Sequence, residues 1–153
     1  MTSPSSIPNL GVEHLNSPEF ARTGLPFSEM VRVGDMLYLS GQMGTLGGTL
    51  TLIEGGMAAQ ARQALRNIEH ALKAQGYSLQ HVVKCTVMLA DMDDWPAFNT
   101  VYQEFFKPPY PARSAFGVNA LALGSKLEIE VIAASGKATP AADLPNTANT
   151  ANI

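Results

Sequence analysis

One arginine in this chain stands in an unusual setting. In "YPARSAF", residues 110–116, Arg113 is surrounded by apolar and small residues, and the nearest formal charges along the chain are Lys107 and Lys126. No acid adjacent in sequence neutralises it, and an unpaired guanidinium is costly to bury. Two kinds of partner suit it. One is a structural ion pair with Glu128 or Glu130. The other is a ligand carboxylate, which the planar fork of arginine grips through two parallel hydrogen bonds. The two glutamates lie in "KLEIEVIAA" at i and i+2. On a strand that spacing puts them on one face, roughly 6–7 Å apart. Two carboxylates in an otherwise apolar strand raise each other's pKa, which suits general acid–base work. The plainer alternative is a wet sheet edge where at least one of them is simply solvated.

Other reactive side chains carry weaker signals. His14, His70 and His81 have no metal-ligand spacing. Cys85 falls in the apolar half of a strand pattern, as an inert buried thiol would. Gly47-Gly48 and Gly55-Gly56 match neither a phosphate loop nor a dinucleotide fingerprint and read as turns. No Ser–His–acid arrangement is legible.

The elements that must position these residues follow from periodicity. "MVRVGDMLYLSGQMG" is two alternating runs about a Gly34-Asp35 turn, a hairpin. "TLGGTLTLIEGG" is a glycine-rich connection with room for a further short strand pair. Residues 57–75 form the strongest helix, with Ala61, Leu65, Ile68 and Leu72 on one face and Gly76 as its stop. "VVKCTVMLA" is a β-branched strand. Asp93 is positioned to cap a second helix that tolerates Pro96 in its first turn and carries Trp95, Phe98, Tyr102 and Phe105 as an inner stripe. Strands over 112–119 and 127–135 complete the order strand, strand, helix, strand, helix, strand, strand.

Two helices cover one face of such a sheet. Period-two parity gives the helix face Leu37, Leu39, Val83, Cys85, Val87, Leu89, Leu127, Ile129, Val131 and Ala133. The opposite face receives a mixture that includes Met36, Tyr38, Ser40, Lys84, Met88, Glu128, Glu130 and Ile132. This assignment puts Arg113 on the mixed face beside Ser40 and Glu128, and Ser114, Phe116 and Val118 in the core. A mixed face with that much apolar area predicts association with further copies of the chain.

Composition narrows the function classes. The 153 residues suit one domain, and a formal net charge of −3 with only 10 basic residues disfavours nucleic acid or an anionic membrane as partner. A single cysteine, the absence of a bilayer-length apolar run and the lack of a basic-then-apolar leader predict a cytoplasmic protein. Residues 1–24 are expected to be an irregular arm, 25–137 the folded domain and 138–153 a disordered tail.

Four segments taken together resemble one family. "LPFSEMVRVGDMLYLSGQMG", "AAQARQALRNIEHALKAQG", "VVKCTVMLADMDDWPAFNTVYQEFF" and "YPARSAFGVNALALGSKLEIEVIAA" are similar, in order, to the imine/enamine deaminases called RidA or YjgF-like proteins. The resemblance implies an α+β, chorismate-mutase-like subunit, a mixed sheet with two helices on one face. It also implies a homotrimer with sheets facing inward and ligand clefts between subunits. The implied chemistry is hydrolysis of 2-imino acids and their enamine tautomers to 2-oxo acids and ammonia, with no cofactor or metal. By the same resemblance Arg113 clamps the substrate carboxylate and Glu128 orients water. Phe27, Ser40, Gly41, Asn99, Ser114 and Ala115 line the cleft. Phe27 stands where the family often has tyrosine, and Glu29 where glutamine is common. Other implied outcomes are an enamine from ring cleavage as substrate, or a module that binds 2-oxo acids without turnover. A ribonuclease activity attributed to some relatives fits poorly with the net charge.

Overall fold

The computed structural model describes residues 10–136. Six strands form one sheet in the order β1-β2-β3-β6-β4-β5. They are β1 (Val12–Leu15), β2 (Met30–Val33), β3 (Met36–Leu39), β4 (Val82–Leu89), β5 (Ala112–Gly117) and β6 (Leu127–Ala134). Every pairing is antiparallel except β4 with β5. A parallel pair needs a crossover, and α3 (Trp95–Phe105) supplies it. The longer α2 (Gly56–Ala74) connects β3 to β4, and a one-turn α1 (Pro18–Ala21) follows β1. The expected α+β architecture, a mixed sheet with its two long helices on one face, is the one observed.

Most of the expected elements appear within a residue or two. Gly34 takes φ +56° at the β2–β3 turn, and Gly76 takes φ +78° where α2 stops. The second helix differs in its start. Asp91, not Asp93, does the capping, and it caps a preceding 3-10 turn by accepting the Asp93 N–H at 2.9 Å. Asp94 takes the N-cap position of α3 without a side-chain bond, and Pro96 sits in the first turn. The glycine-rich connection holds a single bridge, Thr45 to Leu52. Within the stretch expected to be an irregular arm lie β1, paired residue for residue with β2, and α1. The segment 138–153 lies outside the described residues.

The core sits between the sheet and the helices. Ala61, Leu65, Ile68 and Leu72 of α2 are fully buried against Leu37, Val87, Ile129 and Val131. Small residues Ala61, Ala64 and Ala71 let α2 lie close to the strands. Parity holds along β6 but fails at the start of β4. A register irregularity between Val82 and Lys84 buries Val82 and turns Val83 outward, 45% exposed. A bulge adds one residue to one strand, so alternation reads wrongly on its far side. The opposite face of the sheet carries Tyr38, Val83 and Phe116 in the open. Among the described residues no helix is long and apolar enough to cross a membrane.

Candidate active site

The glutamate pair lies where the strand spacing puts it. In the β4–β6 ladder Glu128 faces Met88 and Glu130 faces Thr86, so both carboxylates project from the open face. Glu128 is half-buried and Glu130 exposed. Burial, and secondly the neighbouring Glu130, raise the Glu128 pKa above the ordinary carboxylate range. One acid is thus a solvated neighbour and the other a candidate proton carrier.

Gly41 makes the room for Glu128. A β-carbon at Gly41 would fall inside contact distance of Glu128 Oε1 and 2.7 Å from its carboxyl carbon. Ser40, just before it, is fixed from both ends. Its hydroxyl donates to the Ser28 carbonyl at 2.7 Å, and its N–H donates to the Glu29 carbonyl at 3.0 Å. The loop that follows is tied to α2. Asn67 donates to the Met43 and Thr45 carbonyls at 3.1 and 3.0 Å, and Gln63 donates to Asn67 Oδ1 at 2.9 Å. Gly44 allows this approach, since a β-carbon there would stand 2.6 Å from the Gln60 Cα. Gln60 in turn accepts the Lys126 N–H at 3.0 Å, fixing the entry to β6.

A cleft of about 420 Å³ opens beside this loop. Phe27, Glu29, Gly41, Met43, Leu50 and Arg66 are among its lining residues. Phe27 is 48% exposed and packs its ring 5.5 Å from Phe20. Glu29 is buried, and its Oε2 accepts the Ser17 N–H at 2.7 Å, which anchors the start of α1. The residue that stands in place of a common family glutamine therefore holds the N-terminal segment against the cleft.

Arg113 lies on the other side of the sheet, which corrects the parity assignment. The parallel ladder pairs Cys85 with Arg113 and Thr86 with Ser114, so Arg113 shares the helix face with buried Cys85. Ser114 and Phe116, expected in the core, point outward. Ser114 accepts from Lys84 Nζ at 2.8 Å, Phe116 is 46% exposed and Val118 is half-buried. The parity of an edge strand leaves open which half faces in; the parallel register decides it. Nor does Arg113 make the ion pair weighed for it. Among the described residues no acid lies within ion-pairing distance of it. Its Cζ instead sits over the rings of Tyr102 at 4.6 Å, Trp95 at 5.1 Å and Phe98 at 5.8 Å. Aromatic quadrupoles attract the cation at these distances without accepting its hydrogen bonds.

Asn99 is half-buried on α3, four residues after Trp95 and three before Tyr102, which places it on the side of the helix that covers Arg113. Ala115 follows on the same face of β5, opposite Val87. The site residues therefore form two clusters in one chain. Arg113, Ala115 and Asn99 lie on the helix side of the β5 edge. Glu128 lies two strands away on the open face, with Gly41 against it and Ser40 beside them just past the end of β3. The aromatic surround of Arg113 is the part that sequence reasoning missed. Its signal, Trp95, Phe98 and Tyr102 at i, i+3 and i+7, was legible but has the ordinary explanation of a core stripe. Among the described residues no group of three or more metal-ligating side chains exists. Cys85 is fully buried, and desolvation raises its pKa, as an inert thiol requires.

Comparison with known proteins places the chain in a family. A family model described as Endoribonuclease L-PSP covers residues 19–135. The human protein named 2-iminobutanoate/2-iminopropanoate deaminase is 44% identical over 116 residues, 76% of this chain and 85% of the human one. A bovine protein of the same name is 45% identical over the same shares. Among solved structures, RidA from the Antarctic bacterium Psychrobacter sp. PAMC 21119 superposes with a TM-score of 0.69 at 42% identity, covering 72% of this chain and 89% of that one. With the family model spanning residues 19–135 and relatives 42–45% identical, the chain belongs to the RidA/YjgF-like family, the one whose model is described as Endoribonuclease L-PSP.

Proposed function

We propose that this chain is a hydrolytic deaminase of 2-imino acids, releasing 2-oxo acids and ammonia, with its active site shared between copies. The observation that carries the reading is a half-buried arginine with no acidic partner among the described residues, in a chain whose relatives are named for deaminating 2-iminobutanoate and 2-iminopropanoate. Arg113 binds the substrate carboxylate through its fork, which fixes the adjacent C2 carbon. Glu128 takes a proton from water as the oxygen adds to the C=N carbon. Glu128 returns that proton to the nitrogen to give the carbinolamine, then carries the new hydroxyl's proton to the nitrogen as the C–N bond breaks, leaving the 2-oxo acid and ammonia. A carboxylate whose pKa is raised exchanges protons nearer to neutral pH than a solvated one.

Arg113 and Glu128 project from opposite faces of the sheet with β4 between their strands. A single copy therefore offers half of each of two sites. The open face, with Tyr38, Val83 and Phe116 exposed, is the surface on which a further copy would bring its Arg113 toward Glu128. The closed arrangement that repeats one such contact is a ring, and the trimer implied by the family resemblance is such a ring. Ser40, Gly41, Phe27, Asn99, Ser114 and Ala115 complete the cleft in this reading.

Subunit mixing tests it. Arg113→Ala and Glu128→Gln should each abolish ammonia release from freshly generated 2-iminopropanoate while the oligomer persists. Refolding the two variants together at equal amounts should restore roughly a quarter of wild-type activity, because a mixed trimer regains one intact site in three. No recovery from mixed oligomers would place both residues in one copy and refute the shared site. A nuclease reading, which the family description invites, is disfavoured by the net charge of −3 and 10 basic residues. RNA cleavage that scales with deaminase-dead protein would revive it.

A further inference from the structure

The surround of Arg113 does more than fill space. Three aromatic side chains of one helix lie within 6 Å of its guanidinium carbon, and all three come from residues that the α3 crossover lays over the β5 edge. Tyr102 is nearest, and its own ring is held on several sides. It stacks on Phe106 at 4.5 Å with 28° between planes, and it meets Phe98 at 5.7 Å. Its hydroxyl donates to Cys85 Sγ at 3.6 Å. The residue is only 5% exposed. Burial pushes the phenol well above its ordinary range, so this ring meets the cation as a neutral π face and not as a phenolate counter-ion.

We propose that Trp95, Phe98 and Tyr102 are positioning residues that hold the Arg113 guanidinium on their ring faces and leave its hydrogen-bonding edge unspent for an anionic ligand. A guanidinium has five N–H donors in a fixed fork. An acidic partner would steady it but would take two of those donors and neutralise the charge a substrate carboxylate needs. Ring faces supply attraction to the cation and use none of the donors. An arginine held in this way keeps its charge and its orientation before ligand arrives, so less freedom is lost on binding. The inference deepens the deaminase reading and rests on it for the identity of the anion, but the geometry of the surround can be tested without turnover.

The first measurement uses the free protein. The Arg113 Nε–Hε resonance, assigned by its loss in Arg113→Lys, should be displaced upfield from the free-arginine position by the ring currents. Tyr102→Leu should move it back and Tyr102→Phe should not. The second uses 2-oxobutanoate binding and imine turnover. Tyr102→Leu should raise the KM and the 2-oxobutanoate Kd by about tenfold, with kcat within about twofold, the scale of one cation–π contact. Tyr102→Phe should restore wild-type values, which a loss of general packing would not predict. Trp95→Leu, at a less buried position, gives the same test if Tyr102→Leu does not fold. An undisplaced resonance in the wild type, or folded leucine variants with unchanged Kd and KM, would overturn the proposal. Absence of ammonia release from wild type with a displaced resonance and intact 2-oxobutanoate binding would instead refute the deaminase reading alone.

Discussion

The Glu128 carboxylate fills the space where a side chain at position 41 would stand: a β-carbon on Gly41 would lie 2.7 Å from the Glu128 carboxyl carbon. Gly41 lies just past the end of β3 and Glu128 on the neighbouring β6, and the fit works because one of them has no side chain. Gly41→Ala should therefore displace the carboxylate while leaving the buried core untouched. Misplacing a catalytic group by about 1 Å costs on the order of 10²-fold in rate. The variant is expected to lose about that much kcat/KM in an ammonia-release assay and to unfold within a few degrees of wild type. Wild-type turnover would show that Glu128 has no fixed position to lose.

The raised pKa of Glu128 fixes the sign of a pH effect. Burial makes protonation easier in the folded chain than in the unfolded one. The stabilising contribution of the protonated acid is complete below the unfolded value of about 4.3 and is lost as pH rises through the higher folded value. Glu128→Gln stays neutral throughout, so its stability relative to wild type should increase across that window and then level off. Denaturant melts from about pH 4 to pH 8 would show this, and a gap that narrows with rising pH would contradict it. In the active protein the acid limb of kcat should fall above the ordinary glutamate range.

Phe116 tests the open face. It is 46% exposed at the sheet edge and contributes nothing to the buried core. Phe116→Asp should leave the subunit folded, shift its mass by light scattering toward that of one copy at micromolar concentration, and remove activity with it. A variant that keeps both its mass and its turnover would exclude this part of the face from the interface.

Leu65 offers the contrast of a purely structural position. It is fully buried on α2 as part of the hydrophobic core, and its side chain is not among those lining the cleft. Leu65→Ala should destabilise the fold by about 3 kcal/mol through lost burial and the cavity left behind. The per-site deaminase rate of the protein that remains folded should be unchanged, which separates loss of protein from loss of chemistry.

Much of the fold was legible because it rests on local rules. Ala61, Leu65, Ile68 and Leu72 at helical spacing located α2, and Leu127, Ile129, Val131 and Ala133 at period two located the buried half of β6. The glutamate pair was legible for the same reason, since i and i+2 on one strand must share a face. Three features were not. β1 is four residues in a polar setting and becomes a strand through its partner β2, a non-local cause. The bulge at the start of β4 reversed the parity of Val83 without any mark in composition. The side of the sheet taken by Arg113 depended on its register against Cys85, and both parities of "ARSAFG" contain small and apolar residues, so alternation had no vote.

That register gives the stretch between α3 and β5 a quiet role as a ruler. Residues 106–111 measure the return from the helix end to the first residue of the edge strand. A one-residue slip of β5 along β4, which a change in the length of this connection would have to accommodate, would exchange the two sides of β5. Arg113 would swing out to where Ser114 meets Lys84, and a serine would take its seat beneath the rings. Loop lengths are usually the most forgiving dimension of a small domain; this connection has to serve a strand whose register decides whether a charge faces the aromatic helix or the opposite side of the sheet.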